Sequence, residues 1–155
     1  MALDLRMPAE GPNWLMSCMA FESGETFSPS VRNAAGSGAV GLIQFMPATA
    51  KELGTSTDHL ADMTAEQQLE YVARYFGPYK GKLSRLSDVY MAILWPAAIG
   101  KPDDAALWDA ATRPTTYRQN SGLDANKDLT ITKGEAASKV AAKLAKGLTS
   151  GIASA

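Results

Sequence analysis

Glu22, a set of loop acids, and an oxygen-rich stretch near the C-terminus are the residues of this chain whose types and spacing suit chemistry. Glu22 closes the run Trp14-Leu-Met-Ser-Cys-Met-Ala-Phe-Glu22. If Asn13 to Phe21 is helical, Leu15, Cys18, Met19 and Glu22 fall at i, i+3, i+4 and i+7, so the carboxylate continues an apolar stripe. Desolvation disfavours the charged form, and a glutamate beside apolar side chains can keep its proton near neutral pH and pass it to a leaving group. Gly24 then stops the helix. Glu22 is therefore expected in the last turn, beside a loop that can wall a cleft. The competing reading is a solvated glutamate at a frayed helix end, the commoner fate of such an acid.

A second carboxylate in a cleft would come from Glu25, Asp58 or Asp62, each in a loop where solvated acids are the rule. His59 lies among them without a nearby Ser or Cys partner and suggests no nucleophile.

Asp124-Ala-Asn126-Lys-Asp128-Leu-Thr130-Ile-Thr132-Lys-Gly-Glu135 places oxygens at positions one, three, five, seven, nine and twelve of a calcium loop. The stretch resembles an EF-hand, with Asp124, Asn126, Asp128, Thr130 and Glu135 as ligands. It departs at the sixth position, where a sharp turn favours glycine. Leu129 there costs about 1 to 2 kcal/mol if held left-handed, which moves the expected affinity toward about 0.1 to 1 mM. The expected role of Ca2+ is structural, steadying a C-terminal helix. The competing reading is a surface turn followed by a capping helix.

These residues need elements to hold them. A short helix from Pro47 through Leu53 ends at Gly54, and Thr55 to Met63 reads as loop. Thr64-x-x-Gln67 is a capping-box pattern, and Leu69, Val72, Ala73 and Phe76 follow at helical spacing up to Gly77-Pro78. Tyr71 and Tyr75 lie one turn apart on a flanking face, suited either to stacking on a sugar or to bordering the core, and the core border is the expected role. Ser87-Asp88 starts another helix, with Tyr90, Ile93 and Leu94 inward and Pro96 ending it after Trp95. Gly100 to Asn120 is rich in Pro and Asp and reads as a linker around an apolar knot at Ala105 to Trp108. Tyr117 within it could be a further aromatic near the site. Ala137, Val140, Ala141, Leu144 and Leu148 give the last helix an apolar face, with Lys143 and Lys146 suited to its C-terminal end. The only β-structure expected is a short hairpin near Val40 to Phe45.

The 155 residues, 46% of them hydrophobic, suffice for one domain with a sizeable core. A net charge of −1, from 15 basic and 16 acidic residues, gives no general field for nucleic acid or an anionic membrane. Cys18 is the only cysteine, so it forms no internal disulfide and is expected to pack as a small hydrophobe. Met1 to Trp14 does not look like a secretory signal, and no stretch has the length of a membrane span. The expectation is a chain made in a host cytoplasm, a monomer with no membrane insertion and no nucleic-acid partner.

Glu22-Ser23, then Phe27-x-Pro29, then Gly38-Ala-Val-Gly41-Leu-Ile-Gln44-Phe-Met-Pro47-Ala-Thr-Ala50 resembles the soluble lytic transglycosylase and goose-type lysozyme family. Two ordered blocks at the right separation are more specific than either alone. The resemblance implies a mainly α, lysozyme-like domain over residues 1–155, with the calcium-type loop at 124–135 and a C-terminal helix. It implies cleavage of the β-1,4 bond between N-acetylmuramic acid and N-acetylglucosamine in peptidoglycan, and no cofactor for that chemistry. Glu22 would be the catalytic acid and Ser23 would orient it. Gly41 and Gln44 would line the cleft floor, and Tyr90 would bind sugar. The family's Ala-Tyr-Asn appears here as Val89-Tyr90-Met91, so the asparagine is missing. The product expected is a 1,6-anhydromuramic end. A small murein enzyme with no secretory signal and no disulfide also looks like a phage lysin, either an endolysin or a virion-associated enzyme. The alternatives are a hydrolytic muramidase, a non-catalytic peptidoglycan-binding or virion module, and a calcium-sensing interaction protein.

Overall fold

The computed structural model describes residues 1–149, a mainly α fold with a two-stranded sheet. The first helix, α1, spans Gly11–Glu22, with Pro12 in its first turn, where a missing N–H costs nothing. Leu15, Cys18 and Met19 are buried as the spacing predicts. The helix ends where Ser23 N–H donates to the Met19 carbonyl and Gly24 turns left-handed at φ 63.

Two short helices follow, α2 over Pro47–Glu52 and α3 over Thr57–Ala61. The second corrects the reading of Thr55 to Met63 as loop. Ser56 caps it by accepting the His59 N–H, and Leu60 gives it one wholly buried anchor. Helix α4, Ala65–Phe76, carries the expected capping box between Thr64 and Gln67. Val72 and Phe76 are buried, whereas Leu69 and Ala73 are only half-buried, and the stripe runs through Gln68 instead. Tyr71 and Tyr75 border the core as expected.

Helix α5 spans Leu86–Leu94. Its inward face is wider than predicted and rotated. Ser87 to Ala92 are all buried, while Ile93 and Leu94 are half-exposed. The rotation follows from Asp88, whose carboxylate is drawn inside by the Lys133 ammonium, the Gly100 N–H and the Ser84 hydroxyl.

The stretch read as a linker is ordered. It holds strand β1, Ala106–Asp109, and helix α6, Pro114–Asn120. Strand β2, Thr130–Thr132, pairs antiparallel with β1, Trp108 opposite Ile131, with a bulge between Ala106 and Trp108. The knot seen in the sequence is the buried side of β1, Leu107 and Trp108. The partner strand is over twenty residues away, so no local turn signal announces it. The hairpin expected near Val40 to Phe45 is a single residue pair, Val40 and Phe45 exchanging hydrogen bonds around a four-residue turn.

Helix α7, Lys133–Thr149, packs with α1 and α5 around the core. Its buried stripe is Ala136, Ala137 and Val140; Ala141 is exposed, Leu144 half-buried and Leu148 exposed, so the apolar face fades along the helix.

Candidate active site

Glu22 is the last residue of α1 and half-buried. Burial pushes its carboxyl up to about 7, and no neighbouring charge contributes to that rise. Around it stand groups that cannot solvate an anion well. Cys18 and Tyr90 are buried, and both are raised chiefly by burial with Glu22 adding to the shift. Tyr75 is pushed up to about 12 by burial, then by Tyr79 and Glu22, and its hydroxyl donates to the Ala92 carbonyl at 2.7 Å. The Phe21 ring meets Tyr90 edge-on at 5.7 Å. A glutamate so placed keeps a substantial protonated fraction near pH 7, as a general acid needs.

The loop after Glu22 is braced from several sides. The Ser23 Oγ accepts the Phe27 N–H at 3.0 Å, and the Thr26 hydroxyl donates to the Ser23 carbonyl at 2.7 Å. Ser23, wholly buried, thus shapes the loop that follows the acid. Glu25 and Phe27 hold left-handed conformations at φ 66 and 50, which side-chain-bearing residues adopt only when the surroundings impose it. At Glu25 the helix end imposes it, the Glu25 N–H donating to the Ala20 carbonyl at 2.7 Å. Its carboxylate pairs with Lys143 and Lys146 of α7, and those ammonium groups hold it down at about 2. The two lysines expected to complement the end of α7 serve this loop.

None of the other acids joins Glu22. Asp58 pairs with Arg32 at 2.7 Å and Asp62 is exposed at the end of α3.

The Gly41 to Gln44 turn is the second stretch expected at the site. Gly41 sits at φ 82, and a Cβ there would meet the Gln68 side chain at 2.3 Å, so only glycine fits. Gln44 is left-handed at φ 54. Its amide nitrogen donates to the Val31 and Gly41 carbonyls at 3.2 and 3.1 Å, which leaves the amide oxygen as the group it can offer to a sugar.

Gln68 is the residue the sequence reading passed over. It is fully buried; its oxygen accepts the Leu42 N–H at 2.7 Å, and its nitrogen donates to Leu60 at 2.8 Å and Pro29 at 3.0 Å. One side chain thus ties the glycine turn, α3 and the Pro29 loop. A signal existed: Gln68, Val72 and Phe76 recur at i, i+4 and i+8, which marks a polar residue on the buried stripe.

Tyr117 lies elsewhere. Its hydroxyl donates to Asp124 at 2.7 Å, which binds it to the 124–135 loop. Met91, at the position of the family's asparagine, is wholly buried and offers no amide to a ligand. Among the described residues, no three His, Cys, Asp or Glu side chains are grouped closely enough to hold a metal by themselves. A groove of about 350 Å³ runs between α1 and α7, lined by Asn13, Met16, Ser17 and Ala20 of α1. Helical spacing sets that face opposite the one carrying Leu15, Cys18, Met19 and Glu22.

A mainly helical domain whose first helix ends on a desolvated glutamate, with a braced glycine turn further along the chain, is of the lysozyme-like class. Residues 5–92, more than half of the chain, match the transglycosylase SLT domain family, and the chain belongs to that family. In kind it is a peptidoglycan-cleaving lytic transglycosylase acting on the bacterial cell wall. No curated protein and no solved structure matches it. Among the described residues, no helix is long and apolar enough to cross a membrane.

Proposed function

We propose that Glu22 is both acid and base in cleavage of the β-1,4 bond between N-acetylmuramic acid and N-acetylglucosamine. The Glu22 carboxyl gives its proton to the bridging oxygen as the bond from the muramic C1 breaks. The resulting carboxylate then takes the proton of the muramic 6-hydroxyl, and O6 bonds to C1 to close a 1,6-anhydro ring. Atoms balance without water, and Glu22 ends protonated, ready for the next strand.

The observation that carries this reading is that Glu22 stands among Cys18, Tyr75 and Tyr90 while each candidate for a second carboxyl is held by other groups or faces solvent. A retaining hydrolase needs a second carboxyl about 5 to 5.5 Å from the first and an inverting one about 6.5 to 9.5 Å away. Glu25, Asp58 and Asp62 are all otherwise engaged or solvated. Gln44 is proposed to meet the glycan over a floor shaped from beneath by the buried Ser23, Gly41 and Tyr90, while Tyr117, on α6 and tied to Asp124, takes no part in it. The chain is proposed to work as a monomer and as a phage lysin, which predicts lysis of host cells when it is expressed together with a membrane-permeabilising protein.

The test is mass spectrometry of purified peptidoglycan digested by the parent and by Glu22→Gln. Anhydromuramic ends in excess over reducing ends support the proposal. Reducing ends alone make the protein a muramidase, and no turnover by the parent makes it a binding module.

A further inference from the structure

Residues 124–135 lie beyond the stretch matched to the family, and the glycan chemistry uses none of them. Asp124, the first residue of that loop, is 7% exposed. Its Oδ2 accepts the Tyr117 hydroxyl at 2.7 Å and the Leu129 N–H at 3.1 Å, and the backbones of Lys127 and Asp128 also support the carboxylate. Donors from the loop's own fourth to sixth residues set this carboxylate inside the curve of the loop. Its other oxygen, Oδ1, is buried and has no hydrogen-bond partner. A buried carboxylate oxygen without a donor is costly, and native structures rarely leave one so.

Further oxygens gather along the same loop. Asn126 and Asp128 each turn a side-chain oxygen back to a backbone N–H two residues on, at 2.8 and 2.9 Å. Glu135 folds across the loop, one oxygen toward the Asn126 N–H at 3.4 Å and the other on Thr132 at 2.9 and 2.8 Å. Among the described residues, Asp124, Asp128 and Glu135 form no salt bridge with any lysine or arginine. The loop therefore holds three carboxylates without a cation, a hard oxygen set, and one oxygen stripped of donors.

We infer that residues 124–135 bind one Ca2+, taking Asp124 Oδ1, the side-chain oxygens of Asn126 and Asp128, the Thr130 carbonyl, Thr132 directly or through water, and both oxygens of Glu135. Three carboxylates alone do not complete such a site; amide and carbonyl oxygens do, and that mixed set with a bidentate glutamate suits Ca2+ over the smaller, octahedral Mg2+. The ion's role is to fasten the fold. Ile131 of β2 is buried against β1, and Lys133, the next residue after β2, is buried on Asp88 of α5 and donates to the Lys101 carbonyl at 2.7 Å. Binding at the loop thus stiffens β2 and the start of α7.

The test is calorimetric titration of the full chain with CaCl2, together with amide hydrogen exchange. One site is expected, with a Kd of about 0.1 to 1 mM, and exchange at Thr130 to Lys133 should slow on loading. Asp124→Asn and Glu135→Gln should each weaken binding tenfold or more. Asp124 supports Tyr117 and Leu129, and Glu135 supports Thr132 and Asn126, so the melting of each variant without calcium is compared with the parent's, and a binding loss counts only in a variant that melts as the parent does. No heat and no shift in melting at about 10 mM CaCl2, ten times the upper end of that range, would overturn the inference. So would unchanged binding in both variants, or an equal response to MgCl2.

Discussion

Glu22 and Glu25 are three residues apart, yet one carboxyl is pushed up to about 7 and the other held down at about 2. The last turn of α1 and the loop just after it differ in what surrounds them. Glu22 shares its space with Cys18, Tyr75 and Tyr90 and pays for desolvation; Glu25 stands in the open between two ammonium groups. Residue type is the same in both places. Environment alone separates an acid that can release a proton at neutral pH from a carboxylate that only holds two helices together.

The sharpest way to break this contrast is Glu22→Gln. The amide keeps the volume and loses the proton, so turnover of purified peptidoglycan should fall about 10² to 10⁴-fold, the range for removing a general acid. Activity near that of the parent would move the chemistry away from α1. The parent's rate should also decline as pH rises through about 7, where Glu22 ionises, and Glu25→Gln should leave that limb in place.

Gln68→Leu separates scaffold from chemistry. Leaving the Leu42 N–H and the Pro29 carbonyl unpaired, and the Leu60 carbonyl with only the Met63 N–H, should cost about 2 to 4 kcal/mol in denaturant melts. Activity should fall with it while the pH limb stays where it was. A shifted limb would mean that the glycine turn helps set the acid.

Glu22→Gln has a second effect, on stability. A group whose folded pKa is raised contributes fully below its unfolded pKa and loses that contribution as pH rises through the folded value. For Glu22 the window runs from 4.5 to about 7, worth about 3 kcal/mol at about 1.4 kcal/mol per pH unit. The variant should match the parent near pH 4 and melt about 5 to 10 °C higher at pH 8. Equal melting at both pH values would show that Glu22 is solvated.

Glu25→Gln should give the smallest effect. Its folded pKa is lowered, so its contribution is present above 4.5 and fades as pH falls toward about 2. An exposed pair is also screened by salt. A small change in melting, visible at low ionic strength and erased by salt, is expected, with peptidoglycan turnover retained.

Local spacing made some features legible. The stripe of Leu15, Cys18 and Met19 placed Glu22 on a buried face because a 3.6-residue period is a property of the chain alone. The Thr64 and Gln67 cap and the sharp turn at Leu129, seen at φ 70, were readable for the same reason, since each rests on residues a few positions apart; the demand for glycine at Gly41 comes instead from the distant Gln68. Composition and the two-block motif fixed the fold class and family.

Tertiary structure decided the rest. β1 and β2 find each other across more than twenty residues, and their pairing turned an apparent linker into a sheet. Lys133 reaches Asp88 across 45 positions and Lys143 reaches Glu25 across 118, so the face that α5 turns inward and the use of the last helix's lysines depend on partners no window of sequence contains. Glu22 shows the division within one residue. Its place on the helix was written in the chain, but the height of its pKa depends on Tyr75 and Tyr90, which α4 and α5 bring to it only when the chain is folded.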